Sequence, residues 1–348
     1  MPERPPRPSP RGKSRDPDDI GSPASGGGEK RYRPVDAMKA PRFTGVGSFM
    51  RLPQVSDMDG VDAAIVGIPF DTGVSYRVGG RFGPAAIREA SRLLRPYHVE
   101  HEIEIFDHLS VVDAGDLSVI PGNIQASYQV IVDGLRPILD AGVVPLAIGG
   151  DHSITLAELR AVARRYAPVG LIDFDSHTDT WDSYWGERYT HGTWCKRAIE
   201  EGLIDTERAV QLGIRGSLYG SEDRGGARAL GLHLIPTEEL LTHGVDDVLH
   251  EVRQRIGAGP VFLSFDIDFV DPGFAPGTGT PEVGGPSSRD ALRLVRGLRG
   301  IEFVGFDLVE VQPQYDSGEV TSLLAGTLLH EFLALVALRH RDGAARKP

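Results

Sequence analysis

From Val61 onward the sequence alternates short apolar runs with longer segments of helical period, and few folds accommodate that pattern. The runs lie at 63–67, 109–113, 143–148, 169–174, 209–212, 232–235, 261–265 and 303–306. Each is brief and rich in aliphatic, often β-branched residues, the composition of strands covered on both faces. Between them lie periodic stretches at 84–94, 124–140, 154–166, 245–256 and 287–298, with Pro84 after Gly83 and Ser287 after Pro286 as start signals. A last apolar stretch, 320–338, has no Pro and Gly326 as its only interior glycine. Strands joined by helix-length crossovers run parallel, so the expected fold is α/β, a mainly parallel sheet with helices on both faces. In such sheets ligands gather beyond the carboxyl ends of the strands.

Residues 1–40 are different. They are rich in Pro, Gly, Ser, Arg and Asp, and cannot bury enough apolar surface to offset their ordering entropy. A disordered tail over 1–40 and a single domain over 41–348 are expected. The net charge of −12 gives no electrostatic basis for binding nucleic acid or an anionic membrane, and could favour a cationic substrate. Cys195 is the sole cysteine, which rules out an internal disulfide and suits a reducing compartment. No long uninterrupted apolar run exists and the N-terminus is Pro-rich, so neither a membrane span nor a signal peptide is expected and the location is read as cytoplasmic.

Three polar clusters each follow directly on an apolar run. They are Gly149-Gly150-Asp151-His152, Asp173-Phe174-Asp175-Ser176-His177-Thr178-Asp179 and Ser264-Phe265-Asp266-Ile267-Asp268. All three are expected on one rim of the sheet. In extended chain, side chains two apart point the same way, so Asp175, His177 and Asp179 should converge, and Asp266 and Asp268 likewise. With His152 this makes two imidazoles and four carboxylates. Four carboxylates in one place repel unless cations neutralise them. A mixed nitrogen and oxygen set suits Mn2+ and can bridge two ions about 3.5–4 Å apart.

Each residue alone has a plainer account. An Asp after a strand often caps a helix or shapes a turn, and a His after Gly-Gly is ambiguous. The weight rests on three complementary clusters at strand ends. Cys195 reads as structural, with no Cys-His-Asn grouping to make it a nucleophile. The loop at 79–84 lacks the Lys-Ser/Thr ending and preceding strand of a phosphate loop. His191 and Glu310 are unremarkable by composition.

The clusters resemble the ureohydrolase family, the arginases and agmatinases, over residues 43–338. G-G-D-H, D-S-H-T-D and S-F-D-I-D-F-V-D-P occur in the family's order. The third continues through Gly277-Thr278-Gly279-Thr280-Pro281-Glu282-Val283-Gly284-Gly285. The resemblance implies a three-layer α/β/α fold with an eight-stranded mainly parallel sheet and two Mn2+ ions per chain, Ni2+ being an alternative. By position it assigns His152, Asp175, Asp179 and Asp266 to one ion. It assigns Asp175, His177, Asp266 and Asp268 to the other, so that Asp175 and Asp266 bridge. Asp151 and Asp173 match positions that support the ligands.

The implied reaction is hydrolysis of a guanidinium group to urea and an amine, begun by hydroxide from a water held between the ions. His191, in Thr190-His191-Gly192-Thr193, matches the histidine that shuttles a proton. Glu310, in Val309-Glu310-Val311, matches the carboxylate that holds the guanidinium. The partner implied is a small guanidino substrate, within a homo-oligomer of trimeric or hexameric form. The competing readings are a metal-binding homologue without turnover and a single-zinc deacetylase of the same fold. The complete ligand set weighs against both.

Trp181 stands where arginases place an Asn, and their Ser-Gly-Asn pattern before the shuttle histidine is absent, so free arginine is not the expected substrate. This segment and Thr-Pro-Glu-Val-Gly-Gly resemble the agmatinase branch. Agmatine ends in an amine, which an acidic, aromatic pocket holds by charge and cation–π attraction, with Trp181 and Asp182 (or Glu187) as candidates. Arg188 could instead serve a carboxylate tail, as in the guanidinobutyrases, guanidinopropionases and proclavaminate amidinohydrolases of this branch. Two departures from the branch are Trp194-Cys195, where Pro-Phe or Met-Phe is usual, and Gln312-Pro313-Gln314-Tyr315-Asp316 for Ser-Pro-Pro-Tyr-Asp. Neither touches a ligand.

Overall fold

A computed structural model describes residues 31–344. Most of the expected tail, residues 1–30, lies outside the described residues. The remainder of it, 31–40, packs on the body. Tyr32 is buried, its N–H donates to Ser110 Oγ at 2.9 Å, and its carbonyl accepts from the Val111 N–H at 3.0 Å. Arg51 adds a second anchor, donating to the carbonyls of Val35 at 2.8 Å and Ala40 at 3.1 Å.

Eight strands form the main sheet: β1 (Ala63–Gly67), β2 (Val111–Asp116), β3 (Val144–Ile148), β4 (Val169–Phe174), β5 (Ile204–Ile214), β6 (His233–Pro236), β7 (Pro260–Asp266) and β8 (Glu302–Val309). All neighbours are parallel, in the order β2-β1-β3-β8-β7-β4-β5-β6. Every residue of β1 and β4 is buried, because helices cover both faces. The helices are α1 (Gly83–Ser91), α2 (Ile124–Asp140), α3 (Ile154–Tyr166), α4 (Trp194–Glu200), α5 (Glu222–Ala229), α6 (Thr237–His243), α7 (Val245–Ile256), α8 (Ser288–Gly297) and α9 (Val320–Ala344). Apolar side chains of α1, α7, α8 and α9 pack on one face, and those of α2, α3 and α4 on the other, which makes the three-layer α/β/α architecture.

Local signals explain where two of the helices start. Asn123 caps α2 by accepting from the Ala126 N–H at 3.0 Å, and Ser287 with Asp290 forms a reciprocal box at the start of α8. Helices α4, α5 and α6 were not anticipated. They are short, and α5 contains Gly225-Gly226, which masks its helical pattern.

Although polar residues interrupt it, the stretch Ser317–Gly343 is long and apolar enough by composition to cross a membrane, but 83% of its most apolar window is buried inside the protein. Phe332 of α9 lies 5.0 Å from Phe306 of β8, ring to ring. It is a core helix.

The topology positions the site. The chain lays down β1, β2 and β3, then builds β4, β5 and β6 outward and returns with β7 and β8 to fill the gap. The carboxyl ends of four adjacent strands, β3, β8, β7 and β4, therefore meet at the middle of one rim.

Candidate metal centre

His152 follows β3 through Gly149-Gly150. A Cβ on Gly150 would stand 1.6 Å from the Phe70 carbonyl oxygen, so only glycine lets the chain turn there. Asp151 then anchors the neighbouring loop by accepting from the Gly73 N–H at 2.7 Å. Its carboxyl is pushed up to about 7 by burial and by the Glu310 charge.

The imidazole of His152 is held in one tautomer. Its Nε2 lies 2.8 Å from Ser264 Oγ, and that hydroxyl donates to Asp307 Oδ1 at 2.6 Å. The Ser264 oxygen therefore accepts from Nε2–H. This leaves the Nδ1 lone pair facing Asp175 Oδ2 at 3.1 Å, Asp179 Oδ2 at 3.2 Å and Asp266 Oδ2 at 3.3 Å. Acceptors converge on acceptors, and His152 Nδ1 and Asp175 Oδ2 are buried with no hydrogen-bond partner among the described residues. Only positive charge makes this arrangement stable. Burial alone would depress the His152 pKa, but the facing carboxylates of Asp175, Asp179 and Asp266 raise it well above the ordinary value.

A second grouping adjoins the first. His177 Nδ1 lies 3.5 Å from Asp175 Oδ1 and 3.1 Å from Asp268 Oδ2. Asp175 thus offers one oxygen to each histidine. Burial, Asp268 and Asp175 together hold the Asp266 carboxyl well above its usual range, whereas bonds to His152 and His177 overcome burial to hold Asp175 below it. Two histidine nitrogens and four carboxylates in two sets sharing Asp175 fit two divalent cations, and these residues would hold them.

The route to convergence differs from simple alternation. Strand β4 ends at Phe174, and the following segment turns: Asp175 Oδ1 accepts from the His177 N–H at 2.6 Å, and Asp179 has φ +49. Asp266 closes β7, and its Oδ1 accepts from the Asp268 N–H at 2.8 Å inside a short 3-10 turn. Turns, not extended chain, aim these carboxylates. Arg215 clamps the third cluster, donating to the Asp268 carbonyl at 2.7 Å and the Glu282 carbonyl at 2.7 Å. Asp173 stays behind the ligands, accepting from Gln211 Nε2 at 2.9 Å.

Glu310 leaves β8 with φ +64 and is buried. Its Oε1 accepts from the His152 N–H at 3.0 Å and lies 3.1 Å from His191 Nδ1. Its Oε2 has no partner among the described residues. The Ser75 N–H donates to His191 Nε2 at 3.0 Å, so the neutral ring carries its proton on Nδ1, toward Glu310. Burial would lower the His191 pKa, but Glu310 raises it above the ordinary value.

Beside His177 and Thr178 opens a cavity of about 290 Å³. Trp181, Tyr184 and Tyr219 make an aromatic wall, with Trp181 edge-on to Tyr184 at 4.6 Å. Asp223 and Glu282 also line it. Asp182 does not. It is exposed and paired with Lys196 Nζ at 2.9 Å and Arg197 Nη2 at 2.8 Å, because α4 turns two cations toward it. Arg188 is likewise engaged outside, 3.1 Å from Glu200. Ser75, Asp223, Tyr219 and Glu282 went unassigned by sequence reasoning. Of these only Glu282 carried a signal, an ionisable side chain inside the third motif. Cys195 is buried, and burial pushes its thiol well above the usual range.

A second histidine cluster is closed to metal. His98 Nδ1 accepts from the His101 N–H at 3.1 Å, so its Nε2–H donates to Glu331 Oε2 at 2.7 Å, and Arg296 Nε holds Glu331 Oε1 at 2.8 Å.

The sequence profile of the arginase family matches residues 61–335. The chain belongs to the arginase family. It is 46% identical over 315 residues to the guanidinopropionase of Pseudomonas aeruginosa, covering 90% of this chain and 98% of that protein. It is 45% identical over 303 residues to the mitochondrial agmatinase of Gallus gallus, covering 87% and 89%. The solved structure of proclavaminate amidino hydrolase from Streptomyces clavuligerus superposes with a TM-score of 0.83 at 41% identity, covering 86% of this chain and all of that one. This arginase-family chain is thus an amidinohydrolase, and its sheet is the family's sheet.

Proposed function

We propose that the protein hydrolyses agmatine to urea and putrescine, with two Mn2+ ions bound by His152, Asp175, His177, Asp179, Asp266 and Asp268. When bound, such ions lower the pKa of water enough to make hydroxide available near neutral pH. The protein's own groups do the rest. Glu310, braced through Oε1 by His152 and His191, has Oε2 free to accept from a guanidinium N–H. His191 already holds one proton on Nδ1, and Nε2 is where it takes a second and passes it to the departing amine once Ser75 yields. Adding water to the guanidinium carbon and breaking one C–N bond gives urea and the amine.

The observation that carries the choice of tail is Glu282. Asp223 already accepts from Trp181 Nε1 at 2.9 Å and from the backbone N–H groups of Tyr219 and Gly220 at 2.9 and 3.2 Å, whereas the Glu282 carboxylate accepts no hydrogen bond among the described residues. Among the described residues the Glu282 carboxylate comes within 4.0 Å of one basic side chain, His177 at Nε2, while the Arg215 guanidinium is bound to its backbone carbonyl. No Lys or Arg is among the described residues that line the cavity. A carboxylate that no Lys or Arg side chain pairs with directly, beside three aromatic rings, favours an ammonium tail.

A second reading rests on the 46% identity to a guanidinopropionase. A carboxylate tail would need a cation, and Arg188, the candidate for it, is held by Glu200. Urea release from agmatine, 4-guanidinobutyrate, 3-guanidinopropionate and arginine by the manganese-loaded protein separates the readings. Agmatine should give the highest kcat/KM; a higher value for either acid would replace the agmatine assignment, leaving the hydrolysis itself in place.

A further inference from the structure

Trp194 directly follows His191-Gly192-Thr193, and the structure places it against the candidate metal centre. It opens α4, is fully buried, and is the largest fully buried side chain in the described protein. Its indole ring packs 4.8 Å from the His152 imidazole, centroid to centroid. Contrary to the expectation that the Trp194-Cys195 departure touches no ligand, its Nε1–H donates to Asp179 Oδ2 at 2.8 Å. That same oxygen is the one that faces His152 Nδ1 at 3.2 Å.

Asp179 needs such a partner. Its backbone is in the left-handed region, at φ +49, where a non-glycine residue is held only by its surroundings. Unlike Asp175, Asp266 and Asp268, its carboxylate receives no backbone N–H among the bonds described. An indole is a donor that cannot accept or ionise, so the bond fixes the carboxylate rotamer without competing for a cation. Bonds of this kind to a ligating carboxylate orient it and tune its basicity.

We propose that Trp194 is a positioning residue for Asp179. It sets the affinity of the cation held by His152 and Asp179 separately from that of the cation held by His177 and Asp268. The inference rests on the two-cation reading of the centre and is independent of the substrate.

The test is titration of metal-free protein with Mn2+, followed by calorimetry and by elemental analysis after dialysis, for the natural chain, Trp194→Phe and Trp194→Leu. Both variants lack the N–H, and Leu removes the ring as well. One of two Mn2+ ions should bind about 10–100-fold more weakly in Trp194→Phe, with the second ion little changed and most of the loss already present before the ring is removed. The Mn2+ concentration that half-restores urea release should rise in step. The melting temperature of the metal-free proteins checks folding. Two outcomes overturn the proposal: unchanged affinities in Trp194→Phe with a lowered melting temperature, or equal weakening of both ions. A natural chain that binds no second Mn2+ overturns the two-cation reading and the proposal together.

Discussion

Replacing Glu282 with Gln tests the assignment of the tail pocket in quantitative terms. The change keeps the shape of the side chain and removes its charge. An ammonium about 4 Å from a carboxylate gains roughly 1 kcal/mol at the dielectric of water and about 4 kcal/mol at an effective dielectric of 20. The Glu282 side chain is 26% exposed, between those limits, and about 2 kcal/mol is the value to expect. That corresponds to roughly a 30-fold loss of kcat/KM for agmatine. Butylguanidine, of similar length with no tail charge, should lose far less, and 4-guanidinobutyrate should gain because a repulsion is removed. Steady-state urea release with all three compounds gives the ratios. Equal losses for agmatine and butylguanidine would refute the charge argument, and would point instead to an effect passed through His177, 4.0 Å from the Glu282 carboxylate. Metal content measured on the same samples distinguishes that route.

Three further outcomes are expected. His191→Asn should cut kcat by about 10²–10⁴-fold while leaving Mn2+ content intact, since the ring contacts Glu310 and Ser75 and none of the proposed ligands; loss of metal in this variant would argue against a proton-transfer role. Asp175→Asn should abolish tight binding of both ions because Asp175 faces both histidines, whereas Asp268→Asn should spare the ion nearer His152, as elemental analysis would show. Away from the site, burial and the neighbouring His98 lower the His330 pKa to about 4. The unfolded chain therefore takes up this proton first as pH falls below about 6.5, and stability is lost between there and about 4, by roughly 3 kcal/mol in full. His330→Phe should flatten the acid limb of urea-denaturation stability across that window, and an unchanged slope would show that other groups carry it.

The convergence of the six candidate metal ligands was legible because they obey a rule about sheets. A polar residue directly after a buried parallel strand has few places to go but the carboxyl rim, and β3, β7 and β4 are neighbours or near-neighbours there. The rim was right although the local geometry was not. Asp175, His177 and Asp179 meet through a turn with one left-handed residue, and Glu310 also leaves its strand with positive φ. Neither Asp nor Glu announces such a backbone as glycine does, so the aim of these carboxylates is set by neighbours that only the folded chain supplies.

The tail pocket was less legible for the same reason. Asp182 was proposed for it on charge and nearness in sequence, but its direction is decided by Lys196 and Arg197, on a short helix with no clear pattern of its own. Glu282 enters the pocket from a loop about a hundred residues further on, held there because Arg215 clamps its backbone carbonyl. Composition gives the charges available to a pocket, whereas the partners already bound to each one decide which remain for a substrate. Asp223 and Glu282 line the same cavity with the same formal charge, and three N–H donors already hold the first while the second accepts no hydrogen bond among the described residues. Substrate choice in this branch of the fold should accordingly follow changes at loop residues of this kind and leave the metal ligands untouched.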